Sequence, residues 1–241
     1  MESVNVAERT DSATRVSFDL TTASVRELNA FLHDPAKLAG IEQVTVLNPE
    51  GAHNLAVGVA APIDIEIDGN AGYFIAGMNK QANVTVHGNV GWSVAENIMS
   101  GTVRVKGIAS ECAGASGHGG LLVIEGDASS RCGISMKGCD IVVGGSVGHM
   151  SAFMAQAGRM VVCGDAGGGL GDSLYEAVIY VRGTIHSLGA DAQEEPMTDD
   201  DYAALTELLG KAGFDHDPKS FKRVASGRTL YHWNADAEQD Y

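Results

Sequence analysis

Cysteine, proline, aromatic residues and positive charge are all scarce in this chain of 241 residues, and each scarcity removes a class of protein. Four cysteines at irregular spacing do not make a disulfide framework, and the polar, acidic start MESVNVAERTDSATR is unlike an export signal. A reducing, cytoplasmic setting is expected. Five prolines among 31 glycines exclude collagen and proline-rich linkers. Sixteen lysines and arginines against 31 aspartates and glutamates leave a formal charge of −15, which disfavours nucleic acid and anionic membranes as partners. No apolar run approaches the ~20 residues of a membrane-spanning helix.

Glycine is abundant, at nearly double its usual ~7% share. It is also periodic. Steps of 19 residues connect Gly69, Gly88, Gly107, Gly126, Gly145, Gly164 and Gly183 without a break. Two residues before each stands a β-branched residue, from Ile67 and Val86 to Val181. Four before stands an apolar one, from Ile65 and Val84 to Ile179. Two after come Ala71, Val90, Ala109, Ala128, Val147, Ala166 and Ile185; thirteen after come only Ala, Gly or Cys.

Apolar residues at alternate positions put two side chains on one face of a strand. The glycine that follows implies an unusual dihedral or a close backbone approach. Nineteen residues are too few for a strand–helix–strand crossover, which takes ~30. A single unit cannot bury its apolar face, but stacked units can, ~4.8 Å apart. The repeat therefore predicts an all-β fold: a single-stranded, parallel, right-handed β-helix of 19-residue rungs with short helical N- and C-terminal flanks. Leucine-rich repeats, calcium-binding nonapeptide rolls and hexapeptide helices fit less well, for want of leucine columns, an Asp column and a multiple of six.

The chain divides into an arm with a capping helix (1–43), the β-helix (44–190) and a C-terminal helix and arm (191–241). Ser24 and Glu27 form a capping box for a helix over 24–34, ended by Pro35, and residues 42–59 read as irregular opening rungs. A second helix spans 198–213, capped by Thr198, with three aspartates at its start and Gly213 at its end. The tail beyond it reads as a packed arm. Early strands such as IDIEIDG alternate, so one face is wet. Later ones, LLVIEG, DIVVGG and RMVVCG, are apolar on both faces and need a cover: the chain's own termini or another subunit.

The search for chemistry finds no catalytic, cofactor-binding or metal-binding residue. GISMKGC has Cys139 where a phosphate loop needs Lys-Ser/Thr, and no GxGxxG opens a helix. Cys112, Cys132, Cys139 and Cys163 occupy different columns, as do His87, His118, His149 and His186, so neither set suggests a metal site. Asn83-Val84-Thr85 is a glycosylation sequon inside a strand and is discounted. Asp127 and Asp165 share a column two rungs apart, ~9–10 Å, near the spacing of inverting glycosidases. They follow a corner glycine, however, where Asn70 and Asn89 also stand, and local backbone bonding is the favoured role. Arg131, Lys137, Asp172 and Glu176 interrupt the rung pattern and read as salt bridges or solvated edges.

The succession GAHNLAVGV, GNAGYFIAGMNKQANVTVHGNVGWSVAENIMSGTVRVKG, HGGLLVIEGDASSRCGISMKGCDIVVGGSVGHMSAFMAQAG and CGDAGGGLGDSLYEAVIYVRG resembles the GXGXG β-helix domain of glutamate synthase. With the DPKSFKRVASGRTLYHW tail, it is most similar to free-standing subunits of N-methylglutamate synthase type. That resemblance implies a non-catalytic subunit of a complex that makes N-methyl-L-glutamate and ammonia from methylamine and L-glutamate. It further implies an amidotransferase-like partner and a synthase partner carrying FMN and an iron–sulfur cluster, with no cofactor in this chain. Other glutamate synthase-like or formylmethanofuran dehydrogenase-like complexes, and a carbohydrate-active β-helix enzyme, are the alternative expectations.

Overall fold

A computed structural model describes residues 15–228; the acidic start and the end of the tail, 229–241, lie outside the described residues. Nine strands follow the chain as a parallel stack: β1 (Arg15–Asp19), β2 (Gln43–Leu47), β3 (Asp64–Asp68), β4 (Asn83–Val86), β5 (Thr102–Val105), β6 (Leu121–Ile124), β7 (Lys137–Val143), β8 (Ala157–Val162) and β9 (Val178–Val181). Two antiparallel strands complete the sheet, β11 (Lys222–Ser226) beside β9 and β10 (Ala192–Glu195) outermost. From β3 to β9 the register equals the sequence repeat: Ile65 pairs with Val84, and Val103, Leu122, Ile141, Met160 and Ile179 follow. These side chains are buried in one continuous column that forms the core. The fold is thus a β-helix with short helical flanks, one strand per turn.

Close approach, not dihedral strain, explains the glycine column. Only Gly69 in it has a positive φ, +139°. From Gly107 onward each glycine N–H donates to the glycine carbonyl one rung below, at 2.8–3.1 Å. A Cβ at Gly126 would sit 2.8 Å from the Gly107 oxygen, and one at Gly164 would sit 2.7 Å from the Gly145 carbonyl. No side chain fits between rungs that touch at this point.

The opposite wall holds a pattern that strand periodicity does not reveal. Five, seven and nine residues past each glycine from Gly69 to Gly164, the backbone turns left-handed, as at Ser93, Ala95 and Asn97 and again at Met150, Ala152 and Met154. Alternate positive φ values point successive N–H groups up and down the stack. Ser93 donates up to Glu111 O, Ala95 down to Ile75 O, and Asn97 up to Ala115 O. The rungs after Gly69, Gly107, Gly126 and Gly145 repeat this, so the wall is bonded from rung to rung without being a strand. The same segment exists in the opening rung as Asn54, Ala56 and Gly58. Residues 42–59 are therefore more regular than expected: β2 pairs in register with β3, and the opening rung is longer rather than irregular.

Both flanks pack on the solenoid. Helix α1 (Val25–Leu32) has the Ser24–Glu27 capping box and buries Leu28, Phe31 and Leu32, with Phe31 edge-on to Phe18 at 5.1 Å. Pro35 does not merely end it. Asp34 caps a further turn, α2 (Pro35–Leu38), because proline is well suited to a first helical position. The capping helices seal one end of the core.

Helix α3 (Asp199–Ala212) answers the question of the doubly apolar strands. Its Leu205, Leu208, Leu209 and Ala212, with Phe221, bury the outward side chains Val123, Val142, Val161, Cys163 and Tyr180. The chain covers itself. Arg104, on β5 at the margin of this cover, donates to the carbonyls of Ala212 (3.0 Å) and Lys211 (3.3 Å) and pairs with Glu125. It thereby satisfies free carbonyls at the helix C-terminus. Tyr180 donates to Asp201 at 2.8 Å, and Arg223 bonds both Asp201 and Glu195.

Candidate interaction surface

The corner aspartates have structural partners. Asp127 accepts from Ser146 N, Ser146 Oγ from Asp165 N, and Asp165 from Thr184 N, at 2.7–3.0 Å. Asn70 and Asn89 do the same for Asn89 N and Ile108 N. Each corner side chain satisfies the amide one rung above. Asn, Asp and Ser all serve, so the column requires an acceptor and not a charge. Only Ile108 interrupts it.

The remaining sequence candidates stay apart. Among the described residues no three His, Cys, Asp or Glu side chains gather as a metal site. Burial pushes the thiols of Cys132 and Cys139 up to about 12 and that of Cys163 up to about 11. Cys112 is raised too, by burial and then by the neighbouring Glu111 carboxylate. None has the lowered value of a reactive thiolate. His87 bonds Glu66 at 2.6 Å on the wet half of the sheet, while His118, His149 and His186 are exposed in separate columns. Arg131 and Lys137 are exposed. Asp172 accepts from Ser173 Oγ and from Ala190 N at 3.1 Å, holding the last turn together. Glu176 is an exposed residue just before β9.

What the structure does assemble is an apolar surface on the left-handed wall. Of the six exposed large hydrophobic residues among the described residues, Tyr73, Met78, Trp92, Met99 and Met154 lie on this side, and Ile108 is at the corner. The wet half of the sheet is polar and its other half is covered by α3, so among the described residues most exposed large hydrophobics gather on this one wall.

Its centre is a ladder of rings. His53 stacks on Tyr73 with centroids 4.1 Å apart and planes 6° apart, and Tyr73 stacks on Trp92 at 5.3 Å and 18°. The Tyr73 amide donates to His53 Nδ1 at 3.0 Å. Gly72 and Gly91 make the stack possible: a Cβ on Gly72 would lie 1.8 Å from His53 Nδ1, and one on Gly91 would lie 2.8 Å from Tyr73. Beyond Trp92, Glu111 takes the column. Separately, Leu32, Pro35, Leu38, Ala61 and Pro62 line an apolar cleft of about 460 Å³ between the cap and the opening rung.

Tyr73 and Trp92 were not singled out from the sequence, although their 19-residue spacing puts them in one column. His53 falls outside that column, because one extra residue in the opening rung places it 20 before Tyr73.

Fold and surface together define a self-capped parallel β-solenoid whose conspicuous surface feature is an aromatic wall. Protein GlxC of Rhizobium meliloti (strain 1021) is 53% identical over 224 residues, spanning 92% of this chain and 98% of that protein. The chain belongs to the family of Protein GlxC. No family model and no solved structure matches it. Among the described residues, no helix is long and apolar enough to cross a membrane.

Proposed function

We propose that this chain is a scaffold subunit of a cytoplasmic, glutamate synthase-like enzyme complex of N-methylglutamate synthase type. The observation that carries the scaffold reading is the aromatic and methionine wall, which is exposed among the described residues although the chain itself covers the doubly apolar strands and one end of the core. Soluble proteins rarely leave such residues together without a partner. The glutamate synthase-like assignment rests on the rung sequences. Left-handed positions recur at every second residue, which is where a GXGXG segment would place its glycines; Gly169-Leu170-Gly171-Asp172-Ser173 retains two of them. Kinship with Protein GlxC over nearly the whole chain is compatible with a free-standing subunit.

In this reading the active sites reside in an amidotransferase-like subunit and in a synthase subunit with FMN and an iron–sulfur cluster. The solenoid holds them at a fixed separation, a task suited to a rigid stack of bonded rungs. The complex converts methylamine and L-glutamate into N-methyl-L-glutamate and ammonia. The test is native purification through a tag on the full chain, followed by identification of co-eluting subunits and assay of methylamine-dependent N-methylglutamate formation. Two partners, flavin absorbance travelling with them and that activity are expected. A chain that elutes alone, or that turns substrate over alone, overturns the proposal.

A further inference from the structure

Trp92 offers one ring face to Tyr73, and its other face meets no ring among the described residues. Trp92 as a whole residue is 53% exposed. On that open side the same column continues one rung on, ~4.8 Å, with Glu111. Four residues beyond Trp92, on the same wall, stands Glu96. The Ser93 amide, next to Trp92, donates to the Glu111 carbonyl at 2.9 Å, which sets Glu111 against the Trp92 rung. Neither Glu96 nor Glu111 forms an ion pair among the described residues, whereas Glu125, Glu66 and Glu195 do. Arg131 stands one rung further from Trp92 than Glu111 and forms no ion pair among the described residues.

An open electron-rich ring face beside unpaired carboxylates selects for a cation with a flat, weakly hydrated head. A guanidinium fits: it stacks on the ring and forms charged hydrogen bonds to a carboxylate at its edge. A second copy of this chain is disfavoured as the source, since two bodies of charge −15 repel. We propose that the Trp92–Glu111–Glu96 site is the docking point for an arginine side chain on a partner protein, with Tyr73 and His53 extending the apolar contact. This rests on the subunit reading above for the partner, but not for the arginine.

Two measurements on the full chain separate the two ideas. In the first, N-acetylarginine amide is titrated while the Trp92 indole resonance is followed, with the neutral isostere N-acetylcitrulline amide as control. A saturable shift with arginine and none with citrulline is expected, and Trp92→Ala or Glu111→Gln should abolish the response or weaken it about fivefold. No shift, or an equal shift with citrulline, overturns the site. In the second, tagged chains are purified with their partners. Wild type and Thr85→Ala, on the wet sheet, should retain them, and Trp92→Ala should lose them. If Trp92→Ala retains them fully, the docking surface is wrong while the subunit reading stands. If wild type brings no partner, the subunit reading fails and the arginine titration alone decides the site.

Discussion

At the residue scale, the corner glycines and their neighbours divide two kinds of constraint. Glycine at 126 is required by the Gly107 carbonyl beneath it, because its own φ is ordinary. Gly126→Val should therefore destabilise the protein by about 3 kcal/mol through rung separation, read as a lowered denaturation midpoint. The adjacent Asp127 is needed as an acceptor. Asp127→Asn should leave stability within about 0.5 kcal/mol, whereas Asp127→Ala should cost about 1 kcal/mol by orphaning the Ser146 amide. A glycosidase acid would show the opposite order of importance, with loss of function in the asparagine variant. The four cysteines make a related point. The raised thiols of Cys132, Cys139 and Cys163 should resist alkylation at neutral pH and become labelled only on unfolding. Alkylation of Cys132 or Cys139 in the native state would contradict their burial. Glycine columns and corner acceptors were legible in the sequence because 19-residue spacing survives in them. His53 was not, since a single inserted residue moves a side chain out of its column while leaving its ring in the stack.

At the element scale, α3 is the piece whose destination only packing could show. Its start and end were readable: Thr198 caps it, Asp201 returns the bond to Thr198, and Gly213 closes it with φ +79°. Those signals give its ends without saying what it packs against. Docking on β6–β9 buries Leu205 completely, so Leu205→Ala should cost about 3 kcal/mol and expose the Val142 and Val161 face. Binding of a hydrophobic dye is the accompanying signal. Acid should loosen the same contact. Burial alone would raise the Asp201 carboxyl, but hydrogen bonds from Thr198 and Tyr180 and the charge of Arg223 hold it below the ordinary range. A carboxyl lowered on folding stabilises above its unfolded value of ~4, and that stabilisation is lost as pH falls through the folded one. Helical signal from α3 should therefore decline as pH drops below about 4, and less steeply in Asp201→Asn. An identical acid profile in that variant would remove Asp201 from the account.

At the scale of the whole molecule, a stack of open rungs has two ends that invite further pairing. One is capped by α1 and α2. Leu28→Asp should undock this cap and produce concentration-dependent association, measured by sedimentation; a monodisperse variant would show that the cap is dispensable. The other ends in β10, where Glu194 and Glu195 place charge on the outermost strand. The sequence by itself determined the rung: its length, its inward columns, its corners and both flanking helices. It could do so because each turn lies on a near-copy of itself, so contacts between rungs recur as spacing along the chain. Only the tertiary structure decided three things: that α3 rather than a neighbour covers the apolar sheet, that the far wall is bonded through alternating left-handed residues, and that His53, Tyr73 and Trp92 form one surface. These depend on where distant segments meet, or on dihedral angles that nearly any side chain tolerates, and neither leaves a period to read.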